Sequence, residues 1–101
     1  MPMTAKGLAK LLEELGELAQ VTAKKLAYFH TDEHPDGAGS LKDRMQKEMG
    51  DVSAAMTFVQ QQFDLDRVAI EQRAGDKLAL FQRWHADEHN GAEAFTEQAS
   101  N

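Results

Sequence analysis

Apolar residues recur at three- and four-residue steps along three long segments, and nowhere do they alternate as they would along a strand. In the first segment Leu8, Leu11, Leu15, Leu18, Thr22, Leu26 and Phe29 form one stripe, widened by Leu12 and Ala19. Thr4 is the expected N-cap, and the helix is expected to end near His30. Thr31 to Gly39 holds Pro35, Gly37 and Gly39, which is loop chemistry. Ser40 is the expected N-cap of a second helix, with Asp43 as an acid in its first turn. Its stripe is Leu41, Met45, Met49, Val52, Met56, Val59 and Phe63, with the methionines as adaptable core filler. Asp64 or Asp66 is expected to cap a third helix running to about His89. Its apolar members are Val68, Ile70, Ala74, Leu78, Phe81 and Trp84, and Gly75 is expected to break or kink it. The pattern predicts an all-α fold: a bundle of three to four helices in one domain over 1–90, then a polar tail over 91–101 that frays.

Two short stretches depart from plain amphipathic patterning. Glu13-Glu14-Leu15-Gly16-Glu17 and Glu48-Met49-Gly50-Asp51 each carry two carboxylates three residues apart, with a glycine before the second. Residues at i and i+3 share a helix face. At about 100° per residue, Glu14 with Glu17, and Glu48 with Asp51, fall on the flanks of their stripes in the same rotational sense. Both pairs are expected to face one groove beside the seam of a helical hairpin. A glycine inside a helix costs about 1 kcal/mol relative to alanine, so its repetition at one offset suggests close backbone approach there. Few lysines lie one turn away to neutralise these acids; Lys10 and Lys47 do not form a ladder with them.

Composition narrows the chemistry. The chain has 101 residues, 42% of them hydrophobic and 28% charged, with a net charge of -6 from 17 acids and 11 bases. So acidic a chain does not suit a phosphate backbone, so no nucleic-acid partner is expected. It does suit metal cations, and a nucleotide that arrives with its own metal. Cysteine is absent, which excludes disulfides, thiolate catalysis and cysteine zinc sites. The N-terminus lacks a signal-peptide pattern, and no apolar run approaches the roughly 18 residues that span a bilayer. The default expectation is therefore a cytoplasmic protein with no membrane partner. A chain this short with long helices is expected to complete its core by self-association.

Four carboxylates without His or Cys make a hard oxygen site that favours Mg²⁺, with Mn²⁺ or Ca²⁺ as possible substitutes. A di-iron bundle would need Glu-x-x-His motifs, which these helices lack. Mg²⁺ keeps several waters and usually binds phosphates as well. On the third helix, Ile70, Ala74, Lys77, Phe81 and Trp84 share a face with Lys77 at its centre. A lysine there either snorkels out or reaches a negative partner; Lys77, with Arg83 nearby, is a candidate phosphate ligand. His30-Thr31-Asp32-Glu33-His34 and His85-Ala86-Asp87-Glu88-His89 fit the His-x-x-Glu-His zinc pattern. Pro35 biases His34 away from helix, so His30 and His34 are not expected to share a helical face. His85 and His89 stand at a helix end, where cations complement the dipole.

The order acid-acid-x-x-acid, then Glu-x-x-Asp, then Lys with a downstream Arg, resembles the MazG-like nucleotide pyrophosphohydrolases of the all-α NTP pyrophosphatase superfamily. The resemblance covers roughly residues 8–84. It implies hydrolysis of an NTP or dNTP to the monophosphate and pyrophosphate, for house-cleaning or nucleotide-pool control. It implies Mg²⁺ held by Glu14, Glu17, Glu48 and Asp51, with Glu13 or Glu48 as general base and Lys77 and Arg83 on the phosphates. It also implies a homodimer or homotetramer whose subunits complete each other's sites. Many members carry Lys, Asn four residues on, and Arg three further; here those places hold Lys77, Phe81 and Trp84, with Arg83 one position early. Phosphoribosyl-ATP pyrophosphatase-like activity shares the carboxylates. A non-catalytic helical oligomerisation or partner-binding module accounts for the stripes alone.

Overall fold

The computed structural model describes residues 5–90, with side chains through residue 88. It is all-α: α1 (Lys6–Ala27), α2 (Leu41–Gln62) and α3 (Arg67–Asn90), with no strand among the described residues. The expected Thr4 cap and the tail over 91–101 lie outside the described residues. The chain divides into two compact units, Met1–Leu65 and Asp66–Asn101. The first contains the α1–α2 hairpin and the second contains α3.

The helix ends follow local chemistry. α1 stops at Ala27, three residues before His30, with the Tyr28 N–H closing on the Lys24 carbonyl. Leu26 and Phe29 are 77% and 73% exposed, so no burial within the unit favours a further turn. Ser40 caps α2 as expected, its hydroxyl accepting from the Asp43 N–H at 3.2 Å. At the other end, the Leu65 N–H reaches the Gln60 carbonyl at 2.9 Å and the Asp64 N–H reaches Gln61. This is a Schellman ending with Asp64 in the left-handed region at φ 52°, a conformation that aspartate tolerates. Asp64 therefore terminates α2, and it is Asp66 that caps α3, accepting from the Ala69 N–H at 3.1 Å. α3 then runs through Gly75 as one helix, so the expected break is absent.

α1 and α2 pack as an antiparallel pair. Gly7 meets Phe58 and Gln62, Glu14 and Glu17 meet Glu48 and Asp51, and Lys24 lies by Arg44. The seam is a heptad line, with steps of four and three. On α1 and just beyond it the line runs through Gly7, Leu11, Glu14, Leu18, Val21, Lys25 and Tyr28; on α2 it runs through Leu41, Met45, Glu48, Val52, Ala55, Val59 and Gln62. Every one of these is buried or half-buried. The buried apolar side chains among the described residues, Val21, Leu41, Val52, Ala55 and Val59, all lie on it. The leucine stripe inferred for α1 is rotated away from this line. Leu8, Leu12 and Leu15 are exposed, as are Met49 and Met56 on α2.

The glycines divide by environment. A Cβ on Gly7 would press on the Phe58 ring carbons at 3.0 and 3.1 Å and on the Gln62 amide oxygen. A Cβ on Gly16 or Gly50 would meet nothing within 4 Å. The close approach inferred at those two positions is absent within this unit. Gly16→Ala and Gly50→Ala are each expected to stabilise the fold by about 0.5–1 kcal/mol by removing backbone freedom from the unfolded chain. Gly7→Ala is expected to destabilise it, and urea midpoints compare all three.

A four-carboxylate cluster flanked by two cavities

The seam carries two residues that do not suit it. Glu14 and Glu48 occupy heptad positions that otherwise hold mostly apolar side chains. One turn on, Glu17 and Asp51 complete the set. One carboxylate oxygen from each of the four lies within 4.8 Å of the others. The acids thus stand in the seam and at its edge, closer to the core than the flank position inferred from the stripes.

Such crowding has an electrostatic signature. Partial burial, followed by the charges of Glu17 and Asp51, pushes the Glu14 carboxyl up from its ordinary value. Both Lys10 and Lys47 are held above theirs by acids nearby. Lys10 is raised chiefly by its hydrogen bond to Glu13 at 3.2 Å. Lys47 is raised first by Asp51 and then by Glu48, to which it donates at 3.2 and 3.3 Å. Lys47 therefore does neutralise this cluster, through an i,i+4 pair that the expected lack of a ladder overlooked. The Lys47 side chain is 68% exposed, so the pair is weak enough for a stronger cation to replace it.

One atom remains unsatisfied. The Glu48 side chain is only 16% exposed. Its Oε1 accepts from Lys47, while Oε2 is buried with no hydrogen-bond partner. A buried carboxylate oxygen without a donor is costly unless a positive group faces it. Four carboxylates, one of them with an unpartnered buried oxygen, fit a divalent cation such as Mg²⁺.

Cavities open on both sides of the cluster. The first, of about 310 Å³, is lined by Glu17 and Glu48, by the cations Lys24, Arg44 and Lys47, and by Gln20 and the buried Val21. The second, of about 350 Å³, takes Glu14, Asp51 and Lys10 against Ala54, Ala55 and Phe58. The loop over 28–40 secures the cationic wall. Arg44 places both terminal nitrogens on Asp36 at 3.1 Å, and Lys24 reaches the same carboxylate at 2.9 Å. Those donors hold the Asp36 carboxyl far below the usual carboxylate range. The Asp36 N–H donates to His34 Nδ1 at 3.1 Å. That bond requires Nδ1 to be unprotonated, so the 3.2 Å approach of Nδ1 to Asp36 Oδ1 is not an ion pair in this geometry.

The other candidates have their own surroundings. Glu13 is exposed and paired with Lys10. Lys77 is half-buried on α3, its Nζ 6.0 Å from the Phe81 ring centroid, while Arg83 is exposed. Phe81 in turn packs on Trp84 at 5.3 Å between centroids. His30 lies in the turn after α1 and His34 in the irregular segment, so the first zinc pattern has no helical face; the His89 side chain lies outside the described residues. No helix among the described residues is long and apolar enough to cross a membrane. Sequence reasoning missed Lys24 and Arg44, whose link to the site runs through a loop aspartate. Comparison with family models, with curated proteins and with solved structures returned no match.

Proposed function

We propose that the hairpin is a Mg²⁺-dependent nucleoside triphosphate pyrophosphohydrolase, releasing a monophosphate and pyrophosphate. The observation that carries this reading is the meeting of four carboxylates from two helices, one of which, Glu48, also has a buried oxygen without a hydrogen-bond partner. Glu14, Glu17, Glu48 and Asp51 would hold the cation, and Mn²⁺ is the expected substitute. Bound there, the cation supplies charge neutralisation to phosphate oxygens and a fixed arrangement for in-line attack.

The protein's own groups do the rest. Glu48 is the general base and accepts the proton of the attacking water. The water oxygen bonds to the α-phosphorus as the bond to the bridging oxygen breaks, and pyrophosphate leaves. Glu13 is the other candidate base, but its exposure and its pairing with Lys10 favour Glu48. Lys77 and Arg83 remain proposed phosphate ligands on α3. The same chemistry serves phosphoribosyl-ATP, so a substrate panel includes it. Nucleotide house-cleaning or pool control is the role this activity suits.

A second reading has its own support. Leu12 is 72% exposed and Met49 52%, which suits a homodimer or homotetramer and also a purely structural oligomerisation module. Thermal melting separates them. A ligand present at 100 times its Kd stabilises the native state by about 2.7 kcal/mol. Mg²⁺ with a nucleotide is expected to raise Tm; no shift with any nucleotide would favour the structural module.

The cluster also sets a pH dependence. A Glu whose folded pKa is raised binds more protons folded than unfolded, so protonation favours the fold. For Glu14 this means added stability as pH falls through its raised value, and charge repulsion at neutral pH that a cation relieves. The Mg²⁺-induced rise in Tm is therefore expected to be largest at neutral pH and to shrink as pH approaches the 4.5 of a free Glu. Asp36 acts oppositely, and its contribution is lost only as pH falls below its ordinary 3.8. Melts across pH, with Mg²⁺ and with chelator, measure the difference.

A further inference from the structure

The cavity beside Glu17 and Glu48 is lined by two cations that the four acids do not hold. Lys47 serves those acids directly, but Lys24 and Arg44 are bound to neither pair. Both belong to a three-residue network around Asp36, and both also line the cavity. Asp36 takes two of the five guanidinium donors of Arg44 and one of the three ammonium donors of Lys24. The remaining donors are available to another anion. The Arg44 side chain is 20% exposed and that of Lys24 35%, so both are held in place while still reachable. The bidentate grip fixes the guanidinium plane, which is the preorganisation that phosphate recognition rewards.

Position gives this pair its meaning. A nucleoside triphosphate cleaved between its α- and β-phosphates has its reacting phosphorus at the carboxylate cluster. Its two outer phosphates must then extend to one side. On one side of the cluster lies the cavity with Ala54, Ala55 and Phe58, whose one cation, Lys10, is paired with Glu13. On the other lies the cavity with Lys24 and Arg44. A polyphosphate belongs with the cations.

We propose that Lys24 and Arg44, oriented by Asp36, form the leaving-pyrophosphate subsite, so that the substrate lies across the cluster with its terminal phosphates in the Lys24–Arg44 cavity. The proposal rests on the reading above for its reaction, but the anion subsite is testable without turnover. Lys24 and Arg44 are binding residues, and Asp36 is a positioning residue that acts through them. The subsite lies wholly within the α1–α2 hairpin.

The probe is inorganic tripolyphosphate with Mg²⁺, titrated into the full chain and followed by calorimetry. Arg44→Gln and Lys24→Gln are each expected to weaken binding by about 10- to 100-fold, while Lys42→Met, a loss of charge on the exposed start of α2, leaves it unchanged. Arg44→Gln also removes a loop tie, so the unmodified protein supplies a second readout. Its Arg44 Nε resonance is expected to shift on tripolyphosphate binding. No binding, or binding indifferent to both variants with a still Arg44 resonance, overturns the subsite. Pyrophosphate release from nucleotides together with that still resonance removes the subsite and leaves the reaction standing. Tripolyphosphate binding at Arg44 without turnover of any nucleotide does the reverse.

Discussion

Glu48→Gln is expected to lower kcat/KM for pyrophosphate release by about 10²- to 10⁴-fold, the range for loss of a positioned general base. The change is close to isosteric, and it removes charge from a crowded site. The fold should therefore survive, with an unchanged far-UV circular dichroism spectrum. The cation response should not: with one of four carboxylates gone, Mg²⁺ should raise Tm by less than in the parent protein. Glu13→Gln gives the contrast. Glu13 is exposed and stands outside the cluster, so its loss is expected to change kcat/KM by less than about ten-fold. Equal losses in the two variants would return Glu13 to the role of base. Undiminished release by Glu48→Gln would remove Glu48 from the chemistry.

The largest effect on stability is expected at Leu41. Its side chain is 0% exposed, the most buried in the hairpin. It stands where α2 begins, with its N–H bonded to the Asp32 carbonyl at 2.8 Å, so it anchors the loop as well as the seam. Truncation of a buried leucine to alanine costs about 2–5 kcal/mol. Because the buried core is narrow, Leu41→Ala is expected to leave the hairpin marginal. Leu12→Ala, at a position 72% exposed in the single chain, is expected to change stability by about 0.5 kcal/mol or less. Urea unfolding followed by circular dichroism measures both. A large loss at Leu12 would place that leucine in an interface between copies.

The fold class and most helix ends were legible from periodicity and caps. Ser40 with Asp43 is a local signal, and it reads the same in the sequence and in three dimensions. Which side of α1 faces α2 was less legible. Leucines outnumber other apolar residues on one side of α1, and that side was taken for the core. A stripe reports hydrophobicity, however, and a two-helix unit buries only a line of heptad positions. On α1 that line passes through Gly7, Glu14 and Val21, which no leucine count would select. A heptad template allowed to hold an acid would have placed Glu14 and Glu48 in the seam at once. Asp64 and Asp66 both stood as caps for α3 because one residue type serves both as an N-cap and in the left-handed turn that ends a helix. The pairing of the acids was legible because i,i+3 spacing survives any choice of seam. The Asp36 network was not, since it depends on the path of the loop between the helices.

The most direct test is pyrophosphate release by the unmodified protein with Mg²⁺ and a panel of NTPs, dNTPs and phosphoribosyl-ATP. Hydrolysis that yields pyrophosphate and monophosphate in equal amounts, stops with chelator and returns with Mn²⁺ is the predicted result. Turnover of none of the panel, or turnover indifferent to chelator, would contradict the account.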